Sequence, residues 1–430
     1  MRWLLYSDYH LFLFQDQNLM PSIHFTYDKY VYQKLTILII SYMSDTIENV
    51  LILQGGGSLG AFGCGVFKAL ASNNIKIDIV AGTSIGGVNA AIIAGGKQEE
   101  HPEKVLEQYW LELAEASTSS YGESLIPQYA PLAEDTKKLN RISQAKSTMS
   151  FYGSALHGNK KVFIPRWKPE YCFTDPQYLA PNDWTYLYDH SPLVKTAEKY
   201  IDYNKLQPNG NPNARLIITA VNVLTAEPLI FDSAKQEITV KHLLAATGYP
   251  TYYFPWVEVQ EGIYAWDGSL LSNTPLREVI DASPVKDKRI FLVENYPKSI
   301  DRLPGNLQEV QHRARDIMFS DKTVHNVQMS KAITYYLRLI DDLYKMLEKY
   351  FDSEENNNNK EDKKKFEDIR ERYKKVSEEH GAEIKGVHYI TRTEPYPSLY
   401  ENADFSLGTI RNSIKDGEIK TNQILKEISK

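Results

Sequence analysis

Cysteine is scarce in this 430-residue chain, which has only Cys64 and Cys172. They form neither a Cys-x-x-Cys pair nor a disulfide framework, which points to a reducing compartment and a cytoplasmic location. Long apolar runs are missing too. The most hydrophobic early stretch, LTILII at 35–40, is too short to span a bilayer and no small-residue cleavage site follows it, so it reads as neither a transmembrane helix nor a secretory signal. There is no long basic block, and the formal charge is −6. The chain therefore carries no nucleic-acid footprint and no net attraction to an anionic membrane. No internal repeat is present.

With 42% hydrophobic residues, the composition is that of a globular protein with room for one large α/β domain plus an appendage. Residues 1–42 are rich in Tyr, Phe and Asp without steady periodicity, and Met43 stands just before the first confident strand at 50–53. The expectation is that Met43 is the biological start and that 1–42 is a peripheral or artefactual extension. Strand 50–53 runs into Gly55-Gly56-Gly57-Ser58-Leu59-Gly60 and then a helix reaching Leu70. A second strand, 77–80, leads through Gly82-Thr83-Ser84-Ile85-Gly86 into an Ala/Ile-rich helix at 88–94. Two such strand-to-helix passages in succession make a βαβ unit.

An amphipathic helix is expected at 102–116, with Val105, Leu106, Tyr109, Trp110 and Leu113 on one face. Residues 117–190 lose periodicity and are rich in Tyr, Pro, Ser and Trp. A lid or lipid-facing region fits that composition, and a loop packed on its own aromatics is the simpler expectation. Strands return at 215–221 and 229–231, with a helix at 240–247, a turn at Trp266-Asp267-Gly268-Ser269 and a strand at 290–293. The alternation across 49–295 predicts an α/β fold with a mainly parallel central sheet flanked by helices, in a domain spanning 43–300. A mostly helical C-terminal region, 301–430, follows, with helices at 307–318 and 324–350 and a charged, Asn-rich hairpin tip near 352–365.

Gly82-x-Ser84-x-Gly86 between a strand and a helix is the nucleophile-elbow pattern. The sharp turn needs small neighbours, and it presents the serine Oγ at a helix N-terminus, where N–H groups and the helix dipole favour negative charge. Gly55-x-Gly57-x-x-Gly60 has two readings. A dinucleotide fingerprint requires an acid near the end of the second strand, but that strand ends in Ala81-Gly82-Thr83-Ser84, and Asp78 lies at its beginning. The other reading is an oxyanion loop in which the N–H groups of Gly56, Gly57 and Ser58 point at one oxygen.

A serine nucleophile needs a proton acceptor. Of ten histidines, none stands where the order of an α/β-hydrolase triad would put it. His380 and His388 fall in a stretch expected to be helical and charged, and His242 sits on a helix among apolar residues. Cys64, between Gly63 and Gly65, reads as a packing residue.

GGGSLG, GTSIG and DGS, in this order and spacing, resemble the patatin-like phospholipase family over at least residues 49–295. The helix-to-proline segment from His242 to Pro250 is similar as well. Phe319-Ser320 and Asp404-Phe405-Ser406 resemble a C-terminal extension of some bacterial members. The resemblance implies a Ser-Asp dyad, with Ser84 as nucleophile, Asp267 as base and Gly56, Gly57 and Ser58 as oxyanion donors. Gly55, Gly60, Gly82, Gly86 and Gly268 support those turns. It implies a lipid acyl ester as substrate, contact with a membrane surface, and no cofactor or metal; it names no protein partner. Leu59 stands where members often carry Arg or Lys, which weakens phospholipid headgroup specificity more than hydrolysis, and Ser269 replaces the usual Gly or Ala. A lysophospholipase or esterase, and a lipid-binding protein with little turnover, are the competing expectations. With a carboxylate as base, the rate should not follow an imidazole ionisation near about 6.5.

Overall fold

The computed structural model describes residues 47–97, 101–117, 148–351, 360–394 and 401–428. The expectations for 1–42, for 118–147 and for the tip at 352–359 lie outside the described residues. Ten strands are described: β1 Glu48–Leu53, β2 Ile79–Thr83, β3 Ile164–Pro165, β4 Tyr188–Asp189, β5 Arg215–Asn222, β6 Pro228–Asp232, β7 Val257–Gln260, β8 Ile263–Asp267, β9 Lys288–Glu294 and β10 Ile384–Thr391. The helices, in chain order, are α1 Ala61–Ser72, α2 Ile85–Gly95, α3 Pro102–Glu115, α4 at 148–157, α5 Pro192–Tyr200, α6 Val240–Thr247 and α7 Leu276–Ala282. They continue with α8 Leu307–Phe319, α9 Val324–Phe351, α10 Lys360–His380 and α11 Leu407–Ile428.

Eight strands form the central sheet, in the order β10-β9-β1-β2-β5-β8-β7 with β6 also pairing β5. From β10 to β5 every neighbour is parallel, and β6, β7 and β8 join antiparallel. Alternate residues of one strand feed opposite faces. Leu51 and Leu53 of β1 and Phe291 and Val293 of β9 enter one apolar layer with α1, α2, α3 and α11. Val50, Ile52, Ile290 and Leu292 enter a second layer with Leu276 and Val279 of α7. Burial on both faces explains why these strands are continuous apolar runs in sequence.

The stretch around His380 and His388 departs from expectation. His380 closes α10, but 384–391 is a strand, paired parallel to β9 at the sheet edge. A register shift between Ile384 and Gly386 interrupts its alternation, and a bulge of this kind hides period-two patterning. The C-terminal region thus supplies both a strand of the main sheet and helix α11, which packs against α1.

Residues 148–190 hold helix α4, the short antiparallel β3–β4 pair and an aromatic cluster. Phe163 meets Tyr188 and Phe254 edge-on, and the Arg166 guanidinium lies over the rings of Trp184 and Tyr186. Within 148–190 the aromatics pack on one another and on Phe254, and the segment holds one helix that periodicity did not disclose. Among the described residues no helix is long and apolar enough to cross a membrane.

Candidate active site

The parallel strands end together, and their C-terminal ends carry the glycine motifs. Thr83 of β2 aligns with Thr219 of β5, and the two hydroxyls hydrogen-bond at 2.8 Å. One residue further, Ala220 aligns with Asp267 at the end of β8. The register therefore sets Ser84 and Asp267 at one edge of the sheet, separated only by β5.

Ser84 has φ 57° and ψ −131°, a left-handed conformation that costs a non-glycine residue on the order of 1–3 kcal/mol. The turn around it tolerates only glycine. A Cβ on Gly82 would run into the Gly86 backbone, and one on Gly86 would run into the Leu53 carbonyl. The first intrahelical bonds of α2 run from the N–H groups of Gly87 and Val88 to the Ser84 carbonyl. The Ser84 side chain thus stands over the N-terminus of a helix, partly accessible to solvent.

Asp267 is fully buried. Its Oδ1 accepts hydrogen bonds from the Ser269 N–H at 2.9 Å and from the Ser269 hydroxyl at 2.7 Å, while Oδ2 has no partner of good geometry. Burial raises its pKa from 3.8 to about 6, and hydrogen bonds from Ser84 and Ser269 offset only part of that rise. The Ser84 hydroxyl is thus near enough to favour the ionised carboxylate, without a hydrogen bond of good geometry between them. Such looseness is ordinary in a site without substrate. Gly268 is required here as well, because a Cβ would meet the Thr219 carbonyl.

The first glycine loop lies beside Ser84. Gly56 and Gly57 have φ 146° and 58°, open to glycine and strained for other residues. The first bond of the turn that follows is Leu59 N–H to Gly56 O at 3.2 Å. The N–H groups of Gly56, Gly57 and Ser58 precede it and have no acceptor among the described residues. Side chains invisible to motif reading hold the loop. Asn273 Oδ1 accepts the Gly55 N–H at 2.9 Å, and Asn295 Nδ2 donates to the carbonyls of Gln54 and Gly55 at 3.0 and 3.1 Å. The Asn295 N–H donates to Gln54 Oε1 at 2.9 Å. Leu59 is buried against Tyr296 and Phe319, which leaves no place for a cation at that position.

A turn at Glu401–Ala403 lies across the same loop. Ser58 Oγ donates to the Glu401 carbonyl at 2.8 Å, and a side chain at Gly57 would strike the Asn402 carbonyl. Behind the turn, Arg315 and Arg392 pair with Glu401 at 2.9 and 2.8 Å, and Arg392 also pairs with Glu394. His312 bridges Asp316 at 3.1 Å and Glu401 at 3.2 Å. Burial would lower the His312 pKa, but these carboxylates raise it to about 9. Burial would likewise raise Glu401, yet Arg392, His312 and Arg315 hold it well below the usual carboxylate range. His312, Asp316 and Glu394 could present three ligand atoms to a metal. The two guanidiniums already face these carboxylates, and the cluster reads as a buried ion-pair network.

Among the described residues no histidine hydrogen-bonds Ser84 or Asp267. His242 Nδ1 accepts the Thr239 N–H in a helix-capping box, and burial lowers its pKa to about 4. His388 stacks on Phe291, three strands from β2. Burial pushes the Cys64 thiol up, as for an inert packing residue.

The family model described as patatin-like phospholipase matches residues 51–280, more than half of the chain. The chain belongs to the patatin-like phospholipase family. Its family is one of lipid acyl hydrolases, and the matched span runs from β1 through α7 and contains the elbow, the glycine loop and Asp267. No curated protein sequence matches the chain. Among solved structures, VipD from Legionella pneumophila is 14% identical with a TM-score of 0.35, over 89% of this chain and 67% of VipD. ExoU from the type III secretion system of Pseudomonas aeruginosa, in complex with SpcU, is 16% identical with a TM-score of 0.25, over 62% of this chain and 47% of that one. The chain thus spans about half the length of ExoU. Likenesses this weak carry no argument about this member of the patatin-like family.

Proposed function

We propose that the chain hydrolyses fatty-acyl esters of phospholipids or related lipids through a Ser84-Asp267 dyad. The observation that carries this reading is the conjunction of a serine in the strained elbow conformation with a buried carboxylate whose free oxygen has no other partner. Asp267 accepts the Ser84 proton as Oγ attacks the acyl carbonyl carbon. The carbonyl oxygen becomes an oxyanion facing the N–H groups of Gly56, Gly57 and Ser58; losing one such donor costs about 3–4 kcal/mol of transition-state stabilisation. Collapse of the tetrahedral intermediate breaks the ester bond, and protonated Asp267 returns its proton to the leaving alcohol. Water, deprotonated by Asp267, then attacks the acyl-enzyme and releases the fatty acid. Residues 43–300 carry this machinery, and 301–430 brace it.

Contact with the lipid surface belongs to the 148–190 segment in this reading. Phe173 is 93% and Leu179 85% exposed, and large apolar side chains this bare suit an interface with acyl chains. The segment is tied to the rim of the site, because the Leu187 N–H donates to the Tyr253 carbonyl at 2.9 Å and neighbouring Tyr252 is held by Asn402 at 3.1 Å.

Fatty-acid release from a defined phospholipid and from a short-chain chromogenic ester, compared between the native chain and Ser84→Ala, tests the reading. Release from both substrates should vanish in the variant while the fold is kept. Release that survives Ser84→Ala would overturn the dyad. Introducing Phe173→Asp with Leu179→Asp should slow release from vesicles and leave the soluble ester unaffected.

A further inference from the structure

Helix α9 carries an apolar stripe that nothing in the described structure covers. Tyr336, Leu339, Ile340, Leu343, Met346 and Leu347 are each between 39% and 69% exposed. They recur at the three- and four-residue spacing that places side chains on one helix face. None of the charged residues of α9 interrupts the stripe, since Arg338, Asp341, Asp342 and Lys345 project from the remainder of the helix. The seam to α10 is a different face: Tyr344 packs on Tyr373 with ring centroids 5.0 Å apart, and the Tyr373 hydroxyl donates to the Leu337 carbonyl at 3.3 Å. α10 therefore has its own contact, and the stripe is a second apolar face on one helix.

We propose that this stripe is the two-fold interface between two copies of the chain, with α9 lying antiparallel to α9 of the partner about Leu343. A two-fold interface must be self-complementary, each residue meeting its symmetry mate. About Leu343 the stripe is matched at the third and fourth steps. Ile340 and Met346 stand three residues to either side, and Leu339 and Leu347 four. An antiparallel pair centred there sets leucine on leucine at the middle and at the fourth step, and isoleucine on methionine between, without burying a charge.

The area agrees. At roughly 150–200 Å² per fully exposed large side chain, six half-exposed ones leave on the order of 450–600 Å² of contiguous apolar surface, at the upper end of what a monomer shows. Two copies would bury about 900–1,200 Å² in all, which reaches the floor of ~1,000 Å² for a specific interface. A membrane is the weaker occupant on two counts. Helix α9 has four basic and three acidic residues and α10 eight and seven, so the hairpin has almost no net pull on anionic headgroups, unlike a basic interfacial helix. The hairpin also lies at the wrong end of the molecule. Thr334 hydrogen-bonds the Ala382 carbonyl and Arg338 pairs with Glu383, just before β10 begins beside Lys288. That is the N-terminal edge of the parallel strands, opposite Ser84, and α9 continues from Arg338 about 20 Å further.

The test is the mass of the full chain by light scattering, with Leu343→Glu beside it. The native chain should give twice 49.3 kDa, and the variant, which sets two carboxylates against each other on the axis, half of that with an unchanged circular dichroism spectrum. Cysteine variants in a Cys172→Ser background give a readout independent of that substitution. Leu343→Cys should cross-link to itself on mild oxidation, whereas Leu339→Cys should cross-link only when mixed with Leu347→Cys. A monomeric native chain, a Leu343→Glu variant that stays dimeric, or cysteines that fail to cross-link in this pattern would overturn the proposal. So would a monomer whose flotation with phosphatidylglycerol vesicles is lost in Leu343→Glu, which would assign the stripe to a membrane.

Discussion

A carboxylate can serve Ser84 as base only while ionised, and Asp267 is placed where ionisation is costly. Its pKa of about 6 falls close to the imidazole range, so a rate that rises with pH through 6 does not separate this dyad from a histidine base. Residue chemistry does separate them. Removing the Ser269 hydroxyl, which donates to Oδ1 at 2.7 Å, withdraws a bond that favours the ionised form. Ser269→Ala should therefore move the acidic limb of kcat/KM to higher pH, whereas a limb belonging to a histidine would stay where it is. The stability effect has the opposite sense. A raised carboxyl pKa means that the folded state holds its proton longer, so the cost of ionisation is absent below about pH 4, grows between 4 and 6, and is constant above, on the order of 3 kcal/mol. Asp267→Asn should accordingly abolish fatty-acid release yet raise Tm at pH 8, with little change in Tm at pH 4. Thermal melts of the two proteins at both pH values check this.

At the scale of elements, the site is a set of turns held by residues remote in sequence. The elbow and glycine loop are legible in sequence because their chemistry is contiguous: glycines at fixed offsets around one serine, each required by a close backbone approach. Asn273 and Asn295 are not. Each is a single polar residue without periodicity: Asn295 reaches the Gln54 and Gly55 carbonyls only once strands β1 and β9 lie side by side, and Asn273 reaches the Gly55 N–H only once the turn after β8 folds back onto the loop. Asn273→Ala frees the Gly55 N–H and loosens the donors that follow it. The expected result is kcat lower by about 10–100-fold, short of the loss of a whole donor, with KM nearly unchanged; a matched change in KM would mean that Asn273 contacts substrate directly. The turn at Glu401 depends on charges in the same way. Glu401→Ala leaves Arg315 with Asp316 and Arg392 with Glu394 but removes the carboxylate that the two arginines share, and removing one partner of a buried network costs up to about 3–5 kcal/mol, readable as a lower denaturation midpoint. Strand β10 escaped sequence reading for a different reason, since its bulge near Gly386 breaks the alternation that marks a half-buried strand.

Over the whole molecule, the order of the chain is not the order of the fold. Sequence patterning divides a catalytic stretch ending near residue 300 from a helical remainder, because helix periodicity takes over there. The structure returns the chain to the sheet. β10 covers the outer edge of β9 from Ile384 to Thr391, and α11 buries Ile410 and Ile414 in the same apolar layer as Phe62, Val66 and Leu70 of α1. Gly65 and Gly417 let those two helices touch backbone to backbone, since a Cβ on either would strike the other helix. A chain ended at residue 300 would bare that face of α1, leave the β9 edge unpaired and remove Phe319, whose carbonyl holds Asn273 at 3.1 Å. Exposed apolar faces and open sheet edges lead to aggregation. Residues 43–300 alone should therefore be insoluble or fail to melt cooperatively, and adding 301–430 as a separate chain during refolding should restore a cooperative melt and, with it, fatty-acid release. A soluble, active 43–300 fragment would mean that the C-terminal region only ornaments a domain complete without it.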